Sequence, residues 1–186
     1  LRCTDLNQGV VYGITTDEIK KNFENFCTSF HYDGIFGTII NRFITQLVAK
    51  KNLTVYGKGT QRRGYLNIVD TLKCVEIASK NIPDKGEFKV FNQFTEFSSL
   101  NDLADLVISA GKELGYNPKK INIKNPRIEM EEHYYNPKNT NLLDLGLKPI
   151  KLNKEEIIKN IKIVEKYIHN LKEDLFKADI KWSIDD

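Results

Sequence analysis

Cysteine is scarce in this 186-residue chain: Cys3, Cys27 and Cys74 are odd in number, widely spaced and form no C-x-x-C. That excludes a disulfide frame or a thiolate zinc site, and the three read as reduced thiols of an intracellular protein. Histidine is as sparse, and His31, His133 and His169 lie far apart, so a metal site has no support. No apolar run approaches the ~20 residues of a membrane span, and the opening residues do not read as a signal peptide. The net charge of +3 is too small to argue for a nucleic-acid partner, and no dense Lys/Arg run carries interleaved aromatics. A G-x-G-x-x-G dinucleotide motif is missing too: Gly34 and Gly37 are too closely spaced and follow no strand. Internal repeats and low-complexity tracts are absent. The chain begins with Leu1 rather than Met, inside what reads as a buried strand, Leu1–Leu6. A domain rarely starts there, so the expectation is the C-terminal part of a longer protein.

What is present is ordinary for a soluble globular domain: 40% hydrophobic and 28% charged residues. Strand-like and helix-like segments alternate, which argues for an α/β architecture. After the first strand, Asn7–Gly13 reads as a loop. Thr16 is placed to cap a short helix running to Phe26, and Tyr32–Gly37 reads as a turn. Thr38–Lys51 carries Ile39, Phe43 and Leu47, and Ile40, Ile44 and Val48, at helical spacing. Leu53–Tyr56 is a short strand. Ile68–Asn81 is a helix capped by Asn67, and Glu87–Phe91 is an alternating strand. Ser98 or Ser99 caps a helix ending near Gly115, and Lys120–Lys124 is another short strand. Asn139–Leu145 is a short helix closed by Gly146. Asn153 to about Leu175 is a long amphipathic helix striped by Ile157, Ile161, Val164, Ile168 and Leu171.

The stretch from Leu53 to Asp70 organises the rest. Gly57 and Gly59 break the strand, and Lys58, Arg62 and Arg63 follow close by. This reads as a tight turn gathering backbone amides and three cations, suited to a dianionic ligand that Arg grips through paired hydrogen bonds. A basic surface hairpin is the competing reading.

Val55-Tyr56-Gly57-Lys58-Gly59-Thr60-Gln61-Arg62-Arg63, with Asp70 beyond, resembles the corresponding segment of the extended short-chain dehydrogenases that act on nucleotide sugars. Further motifs are similar to the branch of that family that forms UDP-sulfoquinovose, a sulfonated nucleotide sugar. They are Thr4–Gly13, Tyr32–Thr38, Asn41-Arg42-Phe43, Val90–Glu96 and Asn125–Asn136. The resemblance runs from Leu1 to about Pro149; beyond it the last helix matches in pattern alone. It implies the last Rossmann elements plus a small α/β substrate-binding lobe, residues 1–186 forming the C-terminal part and the N-terminal Rossmann half lying outside this chain. It also implies NAD as cofactor, UDP-glucose and sulfite as substrates, and a homodimer in the cytoplasm, or in the chloroplast stroma of a plastid-bearing source. The implied reaction oxidises UDP-glucose at C4, removes water across C5 and C6, adds sulfite at C6 and reduces C4 again. An epimerase or a 4,6-dehydratase of the same fold, or a non-catalytic binding remnant, are the alternatives.

The resemblance also implies roles. The catalytic Thr, Tyr and Lys are expected upstream, because no Tyr-x-x-x-Lys pair stands in the family's context here. Gln8 and Val11 fall where the family's loop meets the nicotinamide. Thr38, Asn41 and Arg42 begin the helix that faces sugar and diphosphate. Thr54, Val55 and Tyr56 lie along the nucleobase. Gln61 and Arg63 match a Q-x-R triplet whose Arg holds the diphosphate, Arg127 matches the second diphosphate Arg, and Gln61 and His133 join the substrate set. Arg62 stands where the family more often has a small or apolar residue, which leaves its role open. Each has a structural alternative: Asn7 and Gln8 as turn formers, Arg42 as a solvated helix residue, Gln61 as a bond to its own turn, Tyr56 as core and His133 as a structural hydrogen-bonding group. Glu131 and Glu132 read as a helix-start charge pair rather than a paired-carboxylate site.

Overall fold

Strands and helices alternate along residues 1–125 and 137–176, the ones that the computed structural model describes. They belong to two units. The first holds residues 1–28, 63–97 and 137–152, the second residues 29–62, 98–125 and 153–176.

In the first unit β1 (Cys3–Gln8) runs parallel to β5 (Phe88–Gln93), with Cys3 opposite Phe88 and Gln8 opposite Gln93. β2 (Val10–Tyr12) lies parallel to β4 (Arg62–Asn67), with Val10 opposite Tyr65, and β6 (Glu96–Ser99) takes the other edge of β4. Parallel pairs need long crossovers, and α4 (Ile68–Lys80) lies between β4 and β5 in the chain. Asn67 caps it, its Oδ1 accepting from Val69 N–H at 2.9 Å. Leu66, Cys74, Ala78 and Phe91 form the core together with Leu142 and Leu147, from and after α6 (Asn141–Asp144). Gly146 follows α6 at φ 98°, a conformation that glycine adopts without strain. The helix expected from Thr16 to Phe26 is split at Asn22 into α1 (Asp17–Lys21) and α2 (Phe23–Phe26).

In the second unit β3 (Leu53–Tyr56) runs parallel to β7 (Lys120–Ile123), with Leu53 opposite Lys120. Three helices pack together beside them: α3 (Ile39–Val48), α5 (Leu100–Glu113) and α7 (Lys154–Lys166). Ile40, Phe43, Ile44 and Leu47 of α3, Leu103 and Val107 of α5, and Ile157 and Ile161 of α7 are all buried. Gly111 lets α3 and α5 approach, since a Cβ there would sit 2.7 Å from Leu47 Cδ1. Ser99, not Ser98, caps α5 through a capping box: Asp102 N–H donates to Ser99 Oγ at 3.1 Å and Ser99 N–H to Asp102 Oδ2 at 2.9 Å.

Four expectations are corrected. Asn7–Gly13 is not a loop: Asn7 and Gln8 finish β1, and Val10–Tyr12 pair with β4, a partner more than fifty residues away that local sequence does not announce. β1 is not buried, because β5 is its one strand neighbour among the described residues and most of its side chains face solvent. Arg62–Asn67 is a strand rather than part of a turn, so the reversal is confined to the glycine-flanked residues before it. The last helix stops at Lys166, since Tyr167, Ile168, His169 and Asn170 are all weak helix formers. The chain then takes 3-10 turns at Ile168–Asn170 and Glu173–Phe176.

Candidate functional site

The residues marked out by sequence fall into two clusters, one in each unit. In the second unit the organising element is the free edge of β3. Leu53 N–H and Gly57 N–H donate toward β7, to Lys119 O and Ile123 O, both at 2.9 Å. Thr54 and Tyr56 therefore turn their backbone groups the other way. Side chains from α3 cover that edge. Arg42 Nη2 donates to Thr54 O at 2.9 Å, and Gln46 bonds Thr54 twice, accepting from its N–H at 3.1 Å and donating to its Oγ1 at 2.8 Å. Gln61 Nε2 donates to Tyr56 O at 3.3 Å.

Arg42 is no solvated helix residue. It is 7% exposed, and its guanidinium carbon lies 3.9 Å from the centre of the Tyr56 ring. A cation on an aromatic face is held electrostatically, more strongly where water is excluded. Gln61 does bond its own turn, yet its Oε1 is buried without a hydrogen-bond partner among the described residues. Val55 is fully buried, so its side chain is core, and its backbone groups face β7 as those of Leu53 and Gly57 do, which leaves it away from the cluster. Thr38 caps α3, with Oγ1 accepting from Asn41 N–H at 3.3 Å, and Asn41 Nδ2 donates to His31 O at 2.9 Å. The turn after β3 is fixed by Asn101, whose Nδ2 and N–H donate to Lys58 O at 2.9 Å and Gly59 O at 3.0 Å. Gly57 and Gly59 both have positive φ, as the reversal requires. Arg62 acts on this turn's surroundings: with Lys120 it helps the Ser99 hydrogen bonds hold the Asp102 carboxyl below the usual carboxylate range.

In the first unit Gln8 and Arg63 are brought together by two glycines. Gln8 ends β1 and is exposed, and Gly9 N–H donates to Gln93 O at 3.0 Å. A Cβ on Gly9 would lie 2.6 Å from Gly64 O, so the backbones that carry Gln8 and Arg63 touch one residue beyond each. Gly64 in turn packs on Phe94, whose Cγ would be 2.7 Å from a Cβ there. Adjacent strand residues face opposite ways, so Arg62 and Arg63 do not act as one pair of cations. Arg63 shares its face of β4 with Tyr65, whose hydroxyl burial pushes up to about 12 against the moderating charge of Arg63. Val11 is half-buried opposite Leu66 and packs on the core.

Three polar groups to which the sequence reading gave no role are buried. Gln46 is one, and a polar residue four positions after Arg42 within an apolar helix was the available signal. Asp70 is another: its Oδ2 accepts from Ile150 N–H at 2.7 Å, while Oδ1 has Lys73 Nζ at 3.8 Å. Burial pushes its pKa above the usual carboxylate range. The third is Tyr12, whose hydroxyl donates to Ile150 O at 2.9 Å and lies 3.1 Å from Glu96 Oε1. Arg127 and His133, with Glu131 and Glu132, lie outside the described residues. Among the described residues no group of three His, Cys, Asp or Glu could hold a metal ion, and no helix is long and apolar enough to cross a membrane. Cys3, Cys27 and Cys74 are free thiols.

No protein-family model matches the chain. The chloroplast UDP-sulfoquinovose synthase of Spinacia oleracea is 57% identical over 149 residues, which are 80% of this chain and 31% of that protein. The UDP-sulfoquinovose synthase of Sulfolobus acidocaldarius is 41% identical over 157 residues, 84% of this chain and 39% of that one. This chain thus spans between about a third and two fifths of the curated relatives it matches. Among solved structures, the UDP-glucose 4-epimerase of Thermotoga maritima with UDP-glucose superposes with a TM-score of 0.65 at 18% identity, over 90% of this chain and 47% of that one. The expected α/β architecture is therefore the fold of about half of a UDP-sugar epimerase.

Proposed function

We propose that this chain, a homologue of UDP-sulfoquinovose synthase over 80% of its length, is the C-terminal, UDP-sugar-binding part of an NAD-dependent enzyme that makes UDP-sulfoquinovose from UDP-glucose and sulfite. The observation that carries the reading is the 57% identity over 149 residues, 80% of this chain. An identity of that level is too high to reflect fold alone.

The matched motifs support a division of labour. Arg63 offers a planar cation to a diphosphate, with Arg127 as its second grip. Thr38, Asn41 and Arg42 border the sugar side from the first turn of α3. Thr54 and Tyr56 flank the base along β3. Gln61 keeps a buried carbonyl oxygen unpartnered among the described residues, an acceptor ready for a ligand hydroxyl or amide. His133 completes the substrate set. NAD supplies reversible hydride acceptance at C4 of the sugar when bound. This chain fits the nicotinamide end of it: Gln8 stands exposed at the C-terminal end of a parallel strand, where open α/β sheets take ligands. With no glycine-rich phosphate motif here, the rest of the dinucleotide and the catalytic Thr, Tyr and Lys belong to a Rossmann half outside this chain, and the complete enzyme is a homodimer.

The test is an assay of the full-length protein with UDP-glucose and NAD, with and without sulfite. Sulfite-dependent formation of UDP-sulfoquinovose is the expected result, with no turnover by the 186-residue chain on its own. Sulfite-independent formation of a UDP-hexose epimer or a 4-keto-6-deoxy sugar by the full-length protein would overturn the reading.

A further inference from the structure

We propose that residues 171–176 form a latch that holds the turn at 32–37 in place before α3, with Tyr32 as the positioning residue on which it closes. The inference rests on the proposed function, since that turn leads directly into Thr38, Asn41 and Arg42.

The latch is built from groups 140 residues apart in sequence. Lys172 N–H donates to the Tyr32 hydroxyl at 2.7 Å, and the hydroxyl lies 3.4 Å from Lys172 O, to which it donates. The Tyr32 ring meets Phe176 at a centroid distance of 5.7 Å and an angle of 54°. Beside them Lys51 and Glu173 form an ion pair at 3.1 Å. The contacts come from the segment where α7 has already ended: Leu171 is extended at ψ 133°, and Glu173–Phe176 form a 3-10 turn.

The turn itself is tightly made but presents little that would anchor it. Asp33 Oδ1 accepts from Ile35 N–H at 2.7 Å and Phe36 N–H at 2.9 Å, which closes the loop on itself. Gly37 admits no side chain, because a Cβ there would lie 2.3 Å from Asp33 O. Ile35 and Phe36 are 68% and 73% exposed, so no core burial fixes the turn. Among the described residues two ties from other elements remain: Asn41 Nδ2 to the O of His31, just before the turn, at 2.9 Å, and Tyr32 to Lys172. The first reaches the turn from a proposed substrate-binding residue. The second reaches it from a segment past Pro149, where the sequence motifs end. Ordering of the turn before substrate arrives lowers the entropic cost of binding, and the latch supplies that order from outside the site.

The experiment uses the full-length protein and three variants. Tyr32→Phe removes both hydroxyl bonds but keeps the ring on Phe176. Phe176→Ala removes the ring contact. Lys172→Ala leaves the latch intact, since Lys172 contributes only backbone groups to it. Amide hydrogen exchange is followed over 33–37, and kcat and KM are measured for UDP-glucose. Expected in Tyr32→Phe and Phe176→Ala are faster exchange over 33–37 and a KM raised about 2- to 10-fold, the worth of one neutral hydrogen bond, at unchanged kcat. Lys172→Ala should match wild type in both. Unchanged exchange in Tyr32→Phe overturns the latch, as does faster exchange in Lys172→Ala. Faster exchange at unchanged KM overturns the positioning role. A wild-type protein that does not bind UDP-glucose overturns that role together with the proposed function, while the exchange data still judge the latch.

Discussion

Gly9→Ala should be costly out of proportion to a single methyl group. The added Cβ would lie 2.6 Å from Gly64 O and 2.9 Å from Phe94 Cβ. A Cβ is essentially never found within 3.0 Å of another atom and is in ordinary contact from 3.4 Å, so the backbone on one side would have to retreat by roughly 0.4–0.8 Å. Overpacking of this kind costs about 1–3 kcal/mol. Gly9 is not among the glycines with positive φ, so alanine can adopt its backbone conformation and should gain about 0.4–1 kcal/mol from a less mobile unfolded chain. The net expectation is a loss of about 1–2 kcal/mol. Gly64→Ala separates sterics from general sensitivity. Its first obstacle is the Phe94 side chain, at 2.7 Å from Cγ, rather than a carbonyl. Phe94→Ala should therefore rescue Gly64→Ala with a coupling of at least about 0.5 kcal/mol, and should not rescue Gly9→Ala, where the carbonyl contact persists. Urea unfolding of the full-length protein reads all of these. Because Gly9 follows Gln8, the same retreat should also lower activity more than it lowers UDP affinity. Gly9→Ala within about 0.5 kcal/mol of wild type would refute the close-approach argument.

Three further outcomes are expected of the full-length protein. Arg63→Ala should weaken UDP binding about 10- to 100-fold in calorimetric titration and leave uridine unaffected, with Arg63→Lys recovering part, because charged hydrogen bonds to a diphosphate are each worth about 1.5–3 kcal/mol; unchanged UDP affinity removes Arg63 from the site. Tyr56→Leu should lose about 1–2 kcal/mol of stability by taking the ring from under Arg42, whereas Tyr56→Phe keeps the ring and should stay within about 0.5 kcal/mol of wild type; equal losses would mean that the stacking contributes nothing. Burial raises the folded pKa of Asp70 above its unfolded value near 3.9, so the folded state binds the proton more tightly. The Asp70 contribution to stability is then largest below about pH 3.9 and falls as pH rises through the folded pKa. Asp70→Asn should abolish that component of the pH profile while keeping an oxygen for Ile150 N–H, and a profile unchanged by the substitution would show that Asp70 does not titrate on unfolding.

Elements with their own punctuation were legible in the sequence. Asn67, Ser99, Thr16 and Asn153 announce helix starts because each cap bonds a backbone N–H two or three residues on. Leu53–Tyr56 was readable as a strand because glycine ends it abruptly. β2, β4 and β6 were not, for a shared reason. Val10–Tyr12 is short and sits between two glycines, Arg62–Asn67 begins with two cations, and Glu96–Ser99 carries polar residues. Their strand character comes from pairing with one another across dozens of residues, which no local window contains.

The site divides along the same line. Residue types at fixed spacing could suggest Arg63 or Gln61, because a diphosphate or a turn asks for those groups whatever the surroundings. Arg42 was harder, since its meaning depends on what it meets. As a helix residue with no neighbour considered, it is a surface cation. Once β3 lies beside α3, it becomes a buried donor to Thr54 O and a cation on Tyr56. Gln46, one turn later, then bonds Thr54 on both its N–H and its hydroxyl. Together these side chains occupy a strand edge that would otherwise be open to another chain. This also sets a condition on the proposed ligand. Both backbone groups of Thr54 are engaged in the protein itself, so a nucleobase approaching β3 must use the Thr54 or Tyr56 side chains, the free oxygen of Gln61, or displace Gln46. Replacing Gln46 by Leu would free Thr54 N–H and Oγ1 at once. If a base reads β3 through Thr54, that variant should lose stability yet bind uridine more tightly; if the base reads Tyr56 and Gln61 instead, uridine affinity should not rise.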